Sequence, residues 1–288
     1  MASSWQDEEN LYVLDSESGA EMARLMDQDM LVTRSMGGIL PEELDTSAIH
    51  TVLDIACGPG GWALATAFIH PEMSVVGLDT SPIMIKYAQA QAHVRKLPNA
   101  RFHVADATNP LDFPDGHFDL VNARFMIGFM PPPLWPPLMQ ECRRITRPGG
   151  FIRLTECDDM GHTSSPAFEK LWLMCARSFQ LAERSFSPIG RDFGITPKMA
   201  SFLREAGYQK IQQKAYAIDF SAESEAHLSM YHDWGAGLKL LQPFLIKMRV
   251  TSQKEADYLY EQALLEMQAD DFCGMWYVLS VLGQLPKL

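Results

Sequence analysis

No apolar run in this 288-residue sequence approaches the ~18–20 residues needed to cross a membrane as a helix. The opening, MASSWQDEEN, is acidic and lacks the basic-then-apolar order of a secretion signal. Basic residues are few: 24 Lys and Arg face 36 Asp and Glu, for a formal net charge of −12. No segment forms a basic stripe, so nucleic acid is a poor partner. The five cysteines, at 57, 142, 157, 175 and 273, form neither an even disulfide frame nor a CxxC metal pair. A reduced, cytoplasmic protein is the expectation. Apolar material is plentiful: 47% of residues are hydrophobic and 21% are charged, which excludes a disordered chain and allows a sizeable core.

The acidic excess is uneven. Residues 1–45 hold eleven acidic and two basic side chains, residues 46–156 nine of each, and residues 157–288 sixteen and thirteen. The surplus sits on an N-terminal arm, where it favours solubility. Within that arm Met22, Leu25, Met26, Met30 and Leu31 recur at helical spacing, predicting a helix over 17–34 that ends at Gly37-Gly38 and Pro41.

From residue 51 to 155 strands alternate with helices. Strands are predicted at 51–56, 74–78, 101–105, 118–122 and 151–155. Helices are predicted at 62–68, 82–94 and 135–145, the second entered through Ser81 as cap and Pro82 at its first position. This alternation predicts an α/β fold with a doubly wound, mainly parallel sheet that binds ligand beyond the carboxyl ends of its strands. The tail differs. It carries helical patterns at 166–185, from Thr196 to Gly207, at 225–247 with a break at Pro243, and from the capping box Ser252-x-x-Glu255 to residue 269. Extended segments at 208–220 and 272–283 complete a seven-stranded sheet as an antiparallel pair.

The chemistry concentrates at the strand ends. Asp54-Ile-Ala-Cys-Gly58-Pro-Gly60 joins a strand to a helix, and its glycines let the backbone approach a ligand. Asp79, nineteen residues after Gly60, ends the second strand, where a carboxylate can accept both hydroxyls of a ribose. Asp106 ends the third strand and can accept from the exocyclic amine of a purine. Together these describe an adenosine site whose charged end lies over the glycine turn. Gly58-x-Gly60-x-x-Ala63 also fits the loose dinucleotide fingerprint. Asp54 four residues ahead of the turn, the acidic end at Asp106, and Phe118-Asp-Leu-Val followed by Arg147-Pro-Gly-Gly argue away from a dehydrogenase.

On those motifs the sequence resembles the class I S-adenosylmethionine-dependent methyltransferases that act on small molecules. Val52–Gly60, Gly77-Leu-Asp79, Ala105-Asp106-Ala107, Phe118-Asp-Leu-Val and Arg147-Pro-Gly-Gly match the family's motifs in order, over roughly residues 50–156. Ala56, which the resemblance places among the cofactor-binding residues, stands where the family often has glycine, a spot alanine can occupy if φ stays negative. The resemblance implies a Rossmann-like methyltransferase domain over 46–288, with 1–45 as a helical lid, 50–156 as the cofactor-binding core, and 157–288 as substrate-lid helices and last strands. It implies S-adenosyl-L-methionine as cofactor. Gly58 and Gly60 would pass beneath the methionine moiety, and Asp79 with Thr80 would hold the ribose. Met84, Asp106 and Ala107 would meet the adenine. Asn122 would present backbone near the methionine amine, with Arg124 and Phe125 just beyond. From the lid, Tyr12, Gln28 and Arg34 would reach the ligand, Arg34 pairing with the methionine carboxylate.

The catalytic end is less sharply written. Glu156, Asp158, Asp159 and His162 crowd one loop, where they could hold Mg²⁺, supply a general base or form a solvated loop. His227, Tyr231, His232 and Trp234 share a lid helix. Glu156, His162 and His232 are the catalytic candidates, and no resident metal is expected. Phe125, Met126, Phe129, Met130 and Trp135 fall where the family often builds its substrate wall. The slot after the fourth strand reads Asn122-Ala-Arg-Phe125, without the Pro-Pro-aromatic tetrad of base-directed N-methyltransferases. The expected activity is therefore methyl transfer to a small, largely apolar metabolite, as in secondary metabolism. The alternatives are a cofactor-dependent rearrangement or cyclisation without methylation, and a non-catalytic binding protein. The expected partners are a small-molecule substrate and a second copy of the chain, with no nucleic acid and no membrane.

Overall fold

The computed structural model describes residues 19–42 and 44–287. Helix α1 (Gly19–Ser35) precedes an alternating series: β1 (Thr51–Ile55), α2 (Gly61–Ile69), β2 (Ser74–Asp79), α3 (Pro82–Val94), β3 (Ala100–Val104) and β4 (Phe118–Arg124). The series continues through α4 (Trp135–Ile145) and β5 (Thr146–Glu156). Then come β6 (His162–Thr163), α5 (Pro166–Leu181), α6 (Thr196–Glu205), β7 (Gln209–Asp219), α7 (His227–Lys247), α8 (Gln253–Met267) and β8 (Gly274–Gln284). Among the described residues no helix is long and apolar enough to cross a membrane.

The sheet runs β3-β2-β1-β4-β5-β8, with β6 and β7 both paired to β8. The first five strands are parallel; β8 is antiparallel to β5, and β7 is antiparallel to β8. The expected seven strands are present, and the two-residue β6 makes an eighth against Gly274 and Met275. Strand order reverses between β1 and β4, so a crevice opens at their carboxyl ends. Alternation along each strand feeds two cores. Val52 and Leu120 pack on one face with Trp62, Val75 and Phe102, while Leu53 and Val121 pack on the other with Trp135 and Met139.

Local signals set most boundaries. Ser81 Oγ accepts the Met84 N–H at 3.3 Å, Ser165 Oγ the Phe168 N–H at 3.0 Å, and Ser252 Oγ the Glu255 N–H at 3.2 Å. The break expected at Pro243 does not occur, and α7 runs through it. Leu238, Leu241, Gln242 and Leu245 are buried around that point, and their packing offsets the lost backbone bond. Helix α1 and the residues after it pack on the sheet. Val32 and Met36 lie in one core and Ile39 in the other. The Ile39 carbonyl accepts from both the Trp62 indole and the Arg153 guanidinium.

Candidate active site

The turn after β1 is built by backbone constraint. Cys57 N–H donates to the Leu78 carbonyl at 2.8 Å, folding the chain back toward β2. That requires Ala56 at φ +54, the left-handed region, contrary to the negative φ expected for it. Gly58 and Gly60 follow at φ +52 and +84. A Cβ on Gly60 would lie 2.9 Å from both Ala88 Cβ and Phe102 Cε1, so α2 can approach α3 and β3 only with glycine there.

A cleft lies over this turn and the ends of β1 to β4. Asp79 reaches it with both oxygens anchored: Oδ2 accepts the Gly58 N–H and Oδ1 the Ser81 N–H, each at 2.9 Å. Each oxygen keeps a lone pair for a ligand. Burial raises the Asp79 pKa against those backbone bonds. Asp54, beneath the turn, accepts from Asn122 Nδ2 at 2.8 Å, and burial pushes its pKa up to about 7. Asn122 itself is fully buried, so its side chain braces Asp54. Thr80, Met84, Asp106 and Ala107 line the far wall. The Asp106 carboxylate also closes a local turn, accepting from the Thr108 N–H and hydroxyl and from Asn109.

At the end of β4 and just after it, Arg124 and Phe125 enter the cleft with Phe129 and Met130. Phe125 is left-handed at φ +53 and stacks on Trp276 at 5.7 Å between ring centres. Just behind it the Glu156 carboxylate accepts the Met126 N–H at 2.7 Å and the Ile127 N–H at 3.4 Å. Burial lowers the Arg124 pKa to about 9. From α1, Leu25, Gln28 and Asp29 line the cleft.

Several expected residues stand elsewhere. Arg34 is exposed and paired with Glu225, since α1 turns that side to solvent. Tyr12 lies outside the described residues. Glu156 is 1% exposed, sits off the cleft wall and holds the strained 125–127 segment. His162 is exposed on β6 and pairs with Asp159 at 3.3 Å, away from the cleft. His232 is exposed on α7, edge-on to Tyr231. The carboxylates offered for Mg²⁺ serve backbone: Asp158 accepts from the Ile195 and Thr196 N–H groups and Asp159 from Gly161. Among the described residues no group of three His, Cys, Asp or Glu is placed to hold a metal. Sequence reasoning missed Leu25 and Asp29. The signal was available: Leu25, Asp29 and Thr33 fall four apart on one helix face, and a carboxylate within such a stripe marks a contact with another charge.

Glu156 has a consequence for stability. Burial pushes its pKa from 4.5 up to about 8. Between those values the folded chain keeps a proton that the unfolded chain has released. The stabilisation is complete below about pH 4.5 and is lost as pH rises through about 8, at about 1.4 kcal/mol per pH unit in that window. Glu156→Gln is expected to remove this slope, so that variant and wild type diverge by a few kcal/mol between pH 5 and 8 in urea titrations. Parallel pH profiles would contradict the assignment.

Comparison with known proteins agrees with this geometry. Residues 52–150 match the family profile described as a methyltransferase domain. A demethylmenaquinone methyltransferase of Geobacillus kaustophilus is 30% identical over 182 residues, covering 59% of this chain and 75% of the relative. Methyltransferase pytC of Aspergillus terreus is 31% identical over 169 residues, covering 58% of this chain and 48% of that protein. Among solved structures, the YcgJ protein of Bacillus subtilis superposes with a TM-score of 0.53 at 15% identity, covering 84% of this chain and 94% of the other. Phosphoethanolamine N-methyltransferase 2 of Haemonchus contortus, solved with S-adenosylhomocysteine, gives 0.54 at 18%, covering 94% and 58%. The structural likenesses establish the fold. The cleft fits the family's cofactor: a turn that only glycine can make, a two-oxygen acceptor at the end of β2, and an apolar wall beyond β4. The chain therefore belongs to the class I S-adenosylmethionine-dependent methyltransferases.

Proposed function

We propose that the protein transfers a methyl group from S-adenosylmethionine to a small, largely apolar metabolite. The observation that carries this is the wall of the cleft beyond Asp79, where Leu25, Phe125, Phe129 and Met130 face the open space. Asp79 and Thr80 would hold the ribose, Met84, Asp106 and Ala107 the adenine, and Gly58 the approach to the methionine moiety. Gln28, fixed by Asp233 at 3.0 Å, would close the site from the lid.

The cofactor supplies a methyl group already activated on a sulfonium. The apolar wall excludes water from the acceptor and orients it in line, and such positioning can be worth ~7–11 kcal/mol. Glu156, His162 and His232 lie off the cleft wall, so this reading assigns no proton transfer to them. The Geobacillus relative is named for demethylmenaquinone, a compound of the apolar class.

The test is methyl-labelled cofactor offered with apolar ring compounds, demethylmenaquinone among them, and separately with phosphoethanolamine. Label is expected in the apolar set, with S-adenosylhomocysteine formed in equal amount. Transfer to phosphoethanolamine alone, or conversion of an apolar compound with the cofactor unchanged, would overturn the proposal.

A further inference from the structure

Another groove runs along the outer edge of the sheet, between α3 and β3, and shares no lining residue with the cleft. Helix α3 closes with Lys96 left-handed at φ +56 and the Leu97 N–H on the Ala92 carbonyl at 2.9 Å, which turns the chain back into β3. Ala92, Leu97 and Phe102 give the groove a buried apolar floor. His93, Lys96, Arg101 and His103 form its rim, all of them exposed. Residues 80–105 hold four Lys and Arg, two His and no Asp or Glu, in a chain with 36 acidic residues. These charges stand too far apart along the chain to read as a basic stripe, and the turn at 95–99 brings them together. Arg144, Arg147, Lys170 and Lys239 pair with carboxylates elsewhere. Among the described residues Lys86, Arg95, Lys96 and Arg101 pair with none. The backbone is open on the same side. Strand β3 ends the sheet and, among the described residues, pairs only with β2. The Asn99 carbonyl and the Ala105 N–H bond to β2 at 2.8 and 3.0 Å, so by alternation Phe102 and Val104 turn their backbone groups outward. Gln89 Nε2 donates to the Phe102 carbonyl at 2.9 Å, in the place that a neighbouring strand's N–H would take.

We propose that this edge is a docking site for an acidic polypeptide segment, which adds to β3 as an extra strand. Alternation puts Arg101 and His103 on one face of β3 and Phe102 on the other. The partner carries Glu or Asp at the positions beside Arg101 and His103, and apolar residues at the positions between, which meet the floor under α3. Main-chain bonds supply the affinity, and the alternate side chains select the partner. Opposite charges on neighbouring strands stabilise a pairing and like charges oppose it. The same rule argues against a second copy, since β3 paired with itself about a two-fold axis sets the Arg101 and His103 charges of the two chains against each other. Charges on an edge strand bar indiscriminate pairing, and charges of one sign still admit a partner of the other. The rest of the chain is strongly acidic and repels such a partner, so the edge at β3 is where it can land.

Fluorescence anisotropy on the full chain tests this, with labelled peptides of about seven residues to match a strand. One peptide alternates Glu and Val, and another alternates Lys and Val. A further one is the Glu–Val peptide N-methylated at two adjacent central residues. It keeps the charges, and one lost N–H faces β3 whichever way the strand runs. Wild type is expected to bind the Glu–Val peptide at least about tenfold more tightly than either of the others. Lys96→Glu combined with Arg101→Glu should weaken that peptide by about tenfold or more. Val104→Pro, which removes an outward N–H that an edge strand can spare, should weaken it by about fivefold or more. Should Val104→Pro fail to fold, the N-methylated peptide carries the same test of the ladder. Equal binding of the N-methylated peptide would overturn strand addition, because charge alone would then account for it. Equal binding of the Lys–Val peptide would overturn the acidic partner. Tighter binding of a uridine oligonucleotide, or of vesicles rich in phosphatidylserine, would overturn it in favour of a phosphate-bearing surface. A dimer in sedimentation that Val104→Pro dissolves would give the edge to a second copy instead. No binding of the Glu–Val peptide at about 1 mM would remove the docking site.

Discussion

Asp79→Ala is expected to weaken S-adenosylhomocysteine binding at least tenfold, measured by calorimetry. On the proposed ribose contact two hydroxyls would lose a charged acceptor, and hydrogen bonds to charged groups are worth about 1.5–3 kcal/mol each, against about 1.4 kcal/mol for a factor of ten. The loss has a second source. The same carboxylate accepts the Gly58 and Ser81 N–H groups, so alanine also releases the glycine turn and the entry to α3. Asp79→Asn keeps one carbonyl oxygen and should fall between alanine and wild type. Unchanged affinity in Asp79→Ala would remove the carboxylate from the ribose site.

Gly60→Ala is expected to be the most damaging single methyl group in the cleft. The position is left-handed at φ +84, which costs an L-residue about 1–2 kcal/mol. The added Cβ also meets Ala88 and Phe102 at 2.9 Å, an overpacking that costs about 1–3 kcal/mol. Together these predict a loss of about 2–5 kcal/mol and a fall in melting temperature of ~4–20 °C. Gly58→Ala isolates the backbone cost, because the nearest atom to its Cβ would be Leu25 Cδ1 at 3.8 Å. It should be milder in thermal denaturation. Equal effects at the two positions would mean that the contact between α2 and α3 is not the reason for glycine at 60.

Much of the frame was readable because the deciding forces are local. Ser81-Pro82 marks the start of α3 through its own cap, and the Ser252-x-x-Glu255 spacing opens α8 where expected. Apolar runs gave the parallel strands, and the spacing of Asp54, Gly58, Asp79 and Asp106 brought three strand ends to one cleft. Where expectation and structure part, the cause lies in a distant partner. Ala56 turns left-handed because Cys57 must reach the Leu78 carbonyl. Arg34 leaves the site because α1 lies on the core by Val32 and Met36, which points residue 34 at Glu225. Glu156, buried in β5, becomes a brace because two backbone N–H groups of the preceding crossover, Met126 and Ile127, point at it.

The sequence alone determined the order of elements, the parallel sheet and the acidic strand ends that line the cleft, since caps, periodicity and glycine turns act within a few residues of chain. The tertiary structure decided which charges meet. Asp29 and Arg124 are 95 residues apart, and their meeting depends on how α1 crosses the sheet. Burial, the quantity that turns a carboxylate into a brace or a binding group, exists only once the chain has packed.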